Sequence, residues 1–216
     1  MQLKTFAISV LAAAIVAGCA TQQPAEEKVA AAPAVKKAPP KVIAGASGAL
    51  LASTCEGCHG TDGNSNGPAT PSIAGMSEDY LVEAMEEFRD GDTRSTIMGR
   101  IAKGYTDEEI GLMAGHYAGL TFEKAGQKAH HRTIAKGEDL HNTYCEKCHN
   151  DAGSDPSDDS GILSGQWVPY LKYTMADFRS GERDISRKMK KKLDQLLASE
   201  GESGLDAVIS YYGSQK

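Results

Sequence analysis

The chain has 216 residues, a formal charge of −6 and 40% hydrophobic residues. Its one long apolar run lies at the extreme N-terminus, which excludes a polytopic membrane protein. The acidic balance gives no footing for nucleic-acid binding, and a charged fraction of 24% marks a folded chain, long enough for one ordinary domain or two small ones.

Lys4 is the only charge in the first 25 residues. Residues 6–16 form an apolar run too short for a stable span but suited to a signal peptide. The run leads into Val16-Ala17-Gly18-Cys19, which resembles the lipobox of bacterial lipoproteins. The expectation is a signal over 1–18 and a lipid on Cys19, which leaves an exported protein no free thiol there. The plainer alternative is a cleavage site that happens to contain a cysteine. Ala20 follows, which in lipoproteins favours the outer over the inner membrane, with the protein in the periplasm. Residues 19–46 are rich in Ala, Pro and Lys and read as a flexible tether. Residues 47–216 carry 18 Lys+Arg against 27 Asp+Glu, so the globular part is more acidic than the whole chain, at −9.

The five cysteines fall as one lone residue, Cys19, and two Cys-x-x-Cys pairs. Cys55-Glu56-Gly57-Cys58-His59 recurs as Cys145-Glu146-Lys147-Cys148-His149, an offset of 90. The same offset maps Leu50 onto Leu140, Ile73 onto Leu163, Gly75 onto Gly165 and Tyr80-Leu81 onto Tyr170-Leu171. It also maps Met85 onto Met175, Phe88-Arg89 onto Phe178-Arg179 and Gly91 onto Gly181. A repeat of this kind means two copies of one small fold.

Each copy reads as helical. Ser77 is an N-cap with Glu78 and Asp79 behind it, Leu81, Met85 and Phe88 share a face, and Gly91 supplies the stop. Pro169 suits the start of the matching helix, where Leu171, Met175 and Phe178 repeat the face. Thr106 to Glu109 form a capping box, followed by Ile110, Met113, Ala114 and Tyr117 on one side. Leu205, Val208, Ile209 and Tyr212 repeat that side at an offset of 95, which places about five inserted residues between Leu193 and Ser203. No alternating strand pattern is present. The reading is all-α: two tandem domains, 47–122 and 135–216, joined by a polar linker over 123–134. Domains of this size usually need a covalent or metal staple.

Cys-x-x-Cys-His supplies it. Two thiols form thioethers to the vinyl groups of a haem, and the adjacent histidine is placed to ligate iron. A single zinc held by both pairs is disfavoured by their separation and by the seat of each pair in its own repeat. A thioredoxin-like dithiol needs a βαβ setting that is absent. The expectation is two covalent c-type haems, on Cys55 and Cys58 and on Cys145 and Cys148, with His59 and His149 as proximal iron ligands.

A methionine commonly takes the position opposite the histidine. Met98 lies 39 residues after His59, and Met189 lies 40 after His149. This parallel favours Met98 and Met189. Met85 and Met113 read as core, and Met175 aligns with Met85. Against Met189 stands a stripe of Ile185, Met189, Leu193 and Leu196 that could be plain helix core. His116, His130, His131 and His141 have no equivalent in the other copy and read as surface or helix-cap residues, with bis-histidine ligation the minority alternative.

Each half resembles a class I cytochrome c domain, and the doubled form resembles the dihaem c4-type. The chain is similar to the cytochrome subunits of flavocytochrome c sulfide dehydrogenases. The residues that carry this are GNSNGPATPSIAGM at 63–76, STIMGRIAKGY at 95–105, LHNTYCEKCH at 140–149, GQWVPYLKYTMADFRSGER at 165–183 and GLDAVISYYGSQ at 204–215. The resemblance implies that the Pro71 carbonyl receives the ring N–H of His59. The matching position in the second half is Gly161, so the partner of His149 is left open. The tether and lipobox stand outside the resemblance.

A His/Met haem has no open position for substrate, so its work is one-electron transfer. No dinucleotide fingerprint lies in the globular part. The resemblance implies that sulfide is oxidised on a flavoprotein (FAD) partner subunit and that this chain relays electrons to an acceptor cytochrome or oxidase. The runner-up is a freestanding c4-like lipoprotein carrier feeding a terminal oxidase or reductase. A purely structural haem would leave the paired methionines without purpose. A cysteine-ligated thiosulfate enzyme is excluded because only Cys19 remains after the haem cysteines, and dihaem peroxidases are longer and use an open haem. Arg187, Lys188, Lys190, Lys191 and Lys192 surround Met189 and read either as a docking patch or as a solvated helix face. Asp155, Asp158 and Asp159 read as a solvated acidic loop.

Overall fold

The computed structural model describes residues 46–128, 131–156 and 160–216, all within one unit, Ala38–Lys216. The signal segment, Cys19, the tether up to residue 45, His130, Asp158 and Asp159 lie outside the described residues, as does the side chain of His131; the last tether residue, Ala46, packs against the first copy's core. The described residues contain helices and no strand. In chain order these are α1 (Gly48–Ala52), α2 (Glu56–His59), α3 (Glu78–Asp90), α4 (Met98–Ala102), α5 (Asp107–Ala118), α6 (His131–Tyr144), α7 (Asn150–Gly153), α8 (Val168–Ser180) and α9 (Arg187–Ser214).

Local chemistry sets the ends. The Ser77 hydroxyl accepts from Tyr80 N–H at 3.2 Å and opens α3. α8 has no side-chain cap and instead carries Pro169 as the second residue of its first turn. Both helices stop at a left-handed glycine, Gly91 at φ +89° and Gly181 at φ +79°. At α5, Glu109 N–H donates to Thr106 Oγ1 (3.2 Å) while Thr106 N–H donates to Glu109 Oε2 (2.9 Å). Glu109 is buried by this reciprocal cap. Thr106→Ala is expected to lower stability by about 1 kcal/mol, read as a lower guanidinium midpoint at unchanged slope.

The copies differ where the insertion was expected. In the first, α4 and α5 are separate. In the second their counterparts run on as α9, broken only at Gly201 (φ +63°, ψ −164°). The additional residues extend the helix and leave its C-terminal part, with Leu205, Val208, Ile209 and Tyr212, in the core.

Each copy has its own apolar cluster. Leu51, Met76, Leu81, Ile110, Met113 and Tyr117 form the first, and Leu140, Leu171, Leu193, Leu196, Val208 and Tyr212 are in the second. One expected pairing shifts. Leu50 is 63% exposed whereas Leu51 is 7% and Leu140 is 8% exposed, so the equivalent of Leu140 is Leu51. The offset before the haem motif is therefore 89, and the second copy holds one more residue ahead of its first cysteine. The backbone absorbs it: Cys55 N–H bonds to Ala52 O, whereas Cys145 N–H reaches one residue further back, to His141 O.

The halves interlock. Ile162, from the second copy, is buried in the first copy's cluster. The fully buried Gln166 donates through Nε2 to Ser72 O (2.9 Å) and accepts from Ser72 N–H at Oε1 (3.0 Å). Trp167 Nε1–H donates to Ser65 O at 3.0 Å, and a β-carbon on Gly67 would lie 2.3 Å from the Trp167 ring. The connecting segment is tied down too, since Gln127 donates to Gln166 O (2.7 Å) and accepts from Val168 N–H (3.0 Å).

Candidate haem-binding sites

In the first copy α1 and the short α2 present both thiols and the imidazole within one turn. Cys58 is exposed, Cys55 is half-buried and His59 is buried. Neither cysteine is in a disulfide. His59 Nδ1 lies 2.9 Å from Pro71 O. A carbonyl only accepts, so Nδ1 carries the proton and Nε2 keeps its lone pair for a metal. Burial lowers the His59 pKa, and the Pro71 bond opposes this in part. The ring is thus held in the neutral form a metal needs.

The second copy repeats this with different supports. Cys145 and Cys148 are also free, half-buried and exposed respectively. Burial pushes the Cys145 thiol up to about 11, with the Tyr212 hydroxyl pulling the other way. His149 Nδ1 lies 3.1 Å from the hydroxyl of Ser160, which takes the place of the proline carbonyl. Gly161 holds φ +67°, and a β-carbon there would lie 2.9 Å from the Tyr80 ring of the first copy. The equivalent of Pro71 is glycine because the neighbouring repeat occupies the space.

The methionines sort cleanly. Met76 and Met113 are buried in the first cluster, Met85 packs on it, and Met175 packs on the second. Met98 and Met189 join neither cluster, and both are half-buried. Met98 opens α4, whose Gly99 N–H donates to Ser95 Oγ (2.7 Å). Met189 sits in the first turn of α9, its N–H donating to Ser186 Oγ (3.2 Å). In the stripe along α9, Leu193 and Leu196 are core and Ile185 packs on it, but Met189 does not. Phe88, Ile101 and Phe178 are half-buried apolar side chains outside the clusters, and the Arg183 guanidinium lies 4.9 Å over the Phe178 ring. Unpaired thiols and a tautomer-fixed imidazole are a donor set that fits a covalently held haem.

His141 departs from the expected surface role. It is 0% exposed, with Nδ1 2.8 Å from Tyr212 OH and Nε2 bonded to the Glu146 carboxylate. Its equivalent is Ala52, whose carbonyl accepts from Tyr117 OH at 2.8 Å. The sequence signal was the offset of 89, which sets His141 opposite a core alanine. Ser160 carried no signal at all. His116 is half-buried, edge-on to Tyr117 at 5.3 Å.

The cytochrome c family pattern matches residues 45–123. The cytochrome subunit of sulfide dehydrogenase from Chlorobaculum tepidum is 47% identical over 92 residues, 43% of this chain and 78% of that protein. Cytochrome c4 from Pseudomonas aeruginosa is 30% identical over 148 residues, 64% of this chain and 72% of that one. The crystal structure of reduced recombinant cytochrome c4 from Pseudomonas stutzeri aligns with a TM-score of 0.66 at 23% identity, covering 78% of this chain and 97% of that chain. The chain belongs to the cytochrome c family. Within it, this is a haem c electron carrier related to the cytochrome subunit of sulfide dehydrogenase and to the c4 cytochromes, with their all-α class I fold.

Proposed function

We propose that the chain binds two c-type haems and relays single electrons from a flavoprotein sulfide dehydrogenase subunit to a cytochrome or oxidase. Cys55 and Cys58 would hold the first haem and Cys145 and Cys148 the second, and His59 and Met98, and His149 and Met189, would supply the iron-binding nitrogen and sulfur in each. The observation that carries this is the doubled arrangement of two free thiols, an imidazole bonded through Nδ1 and one methionine outside the core in each repeat. Each bound haem supplies a one-electron couple. The protein's part is positional: Pro71 and Ser160 orient the imidazoles. The donor assignment is supported by the 47% identity to a sulfide dehydrogenase subunit.

A second reading, a freestanding c4-like carrier, is favoured by one fact. The sulfide dehydrogenase likeness spans 92 residues, about one repeat, whereas the cytochrome c4 likeness spans 148. In either reading we place the chain in the periplasm, anchored by lipid on Cys19, with the outer membrane favoured over the inner.

Purification from native membranes through a C-terminal tag separates these readings. The expected result is two haems per polypeptide and a stoichiometric flavin-containing chain. Two haems without flavin select the freestanding carrier, and any other haem count sinks the dihaem assignment.

A further inference from the structure

His141 is fully buried where α6 packs on α9, and it is neither an apolar core residue nor a proposed iron ligand. Ala52 fills the equivalent place in the first copy and is 1% exposed, so this crossing packs without an imidazole. The exchange alters what the nearby tyrosine can do. In the first copy Tyr117 OH donates to Ala52 O at 2.8 Å. A carbonyl only accepts, so that hydroxyl hydrogen has one direction. In the second copy Tyr212 OH meets His141 Nδ1 at 2.8 Å instead. Each tyrosine has the first thiol of its own haem motif as its other partner, Cys55 for Tyr117 and Cys145 for Tyr212.

A ring nitrogen, unlike a carbonyl, can accept or donate. The carboxylate of Glu146 is bonded to Nε2, and an ionised carboxylate only accepts, so Nε2 carries a proton. In the neutral ring Nδ1 then receives the Tyr212 hydrogen. In the imidazolium both nitrogens donate. Nδ1–H then points at the Tyr212 oxygen, and the hydroxyl hydrogen turns to its other partner, the Cys145 sulfur. Burial raises the Tyr212 pKa, so the phenol keeps its hydrogen in both states. The Glu146 side chain is 44% exposed, so the pair reaches water at that edge. The other titratable groups facing the ring are Tyr211 of α9, at 5.3 Å between ring centroids, and Cys145, whose N–H bonds to His141 O. Around these, Glu138 acts on Tyr211 and Lys192 on Cys145.

We propose that His141, backed by Glu146, is a proton-binding site that couples electron uptake at the second haem to uptake of a proton, and that the first haem has no such coupling. It rests on the reading that Cys145 holds that haem. Protonation brings a positive charge and a turned hydroxyl dipole to the edge of the second site, and both favour an added electron there. By reciprocity, an added electron strengthens proton binding at the ring. The step balances: one electron arrives from the one-electron donor, one proton arrives from water to make Nδ1–H, and both leave on oxidation. In the first copy the Ala52 carbonyl takes no proton, so an electron there travels alone.

The test uses the full-length dihaem holoprotein. Spectroelectrochemical titration gives both potentials between about pH 5 and about pH 8, the span of histidine titration. The second haem is expected to become harder to reduce as pH rises, by up to about tenfold in its reduction equilibrium per pH unit, while the first stays level. Met98→Ala moves the first haem's potential and so tells the two apart. His141→Ala is expected to level the second potential at unchanged haem content. Glu146→Gln, at a half-exposed side chain, removes the charge that favours the imidazolium and is expected to move the slope to lower pH. Infrared difference spectra, reduced minus oxidised, with ring-labelled histidine are expected to show an imidazolium band that His141→Ala abolishes. A level second potential in the native protein overturns the proposal. So does a slope that persists unchanged in either variant, which puts the proton on another group. A haem count other than two overturns the underlying site reading and the proposal with it, and it is seen without any titration.

Discussion

Replacing Cys145 and Cys148 together by alanine is expected to leave one haem per chain instead of two and to unfold most of α6 to α9. The second copy's buried cluster is built from ten residues, three of them alanine-sized or polar-tipped: Ala207, Tyr211 and Tyr212. A core of that size in a domain of about 80 residues does not fold securely without a staple. Haem content by alkaline pyridine spectra and helicity by far-ultraviolet circular dichroism measure the two effects. Native helicity at half the haem content would mean that packing alone holds this half.

The second large effect is steric. α1 crosses α5, and α6 crosses α9, at glycine. A β-carbon on Gly48 would stand 2.1 Å from Leu112 O, and one on Gly137 would stand 2.2 Å from Ala207 O and 2.7 Å from Tyr211 Cβ. The obstacles are backbone or the root of a side chain, so neither can swing aside. Gly137→Ala and Gly48→Ala must push the helices apart, at a cost of about 1–3 kcal/mol. Gly111→Ala is the control: it lies in α5, meets nothing within 4 Å, and is expected to stabilise by about 0.5–1 kcal/mol. Guanidinium unfolding of the three variants checks the order. Equal midpoints for Gly137→Ala and Gly111→Ala would refute the close crossing.

Legibility divided along physical lines. Helix ends that depend on neighbouring residues could be read directly, as at Ser77, Gly91 and the Thr106–Glu109 box. The duplication was legible because the cysteine motifs fixed the offset. That same anchor misplaced Leu50, since one residue added before Cys145 shifts the helix register and spacing alone does not mark the gap. His141 was misread for a related reason: a polar residue is judged by its type, and only the fold reveals that Tyr212 and Glu146 satisfy both ring nitrogens. The contacts between halves were invisible. Gln166 with Ser72 and Trp167 with Ser65 join residues 94 and 102 apart, largely through backbone atoms that carry no residue-specific signal. Periodicity alone put Met189 on a core stripe, the parallel spacing after the two histidines argued against that, and packing separates it from Leu193 and Leu196.

The burial of Ile162 in the first copy's cluster carries a consequence for ancestry. Two copies that merely sat side by side could be lost or regained one at a time by recombination. Once one repeat supplies a side chain to the other's interior, deleting either leaves the survivor with a hole or a greasy projection. The doubled gene has then become the heritable unit, and later change is confined to what each half can afford while still fitting its twin.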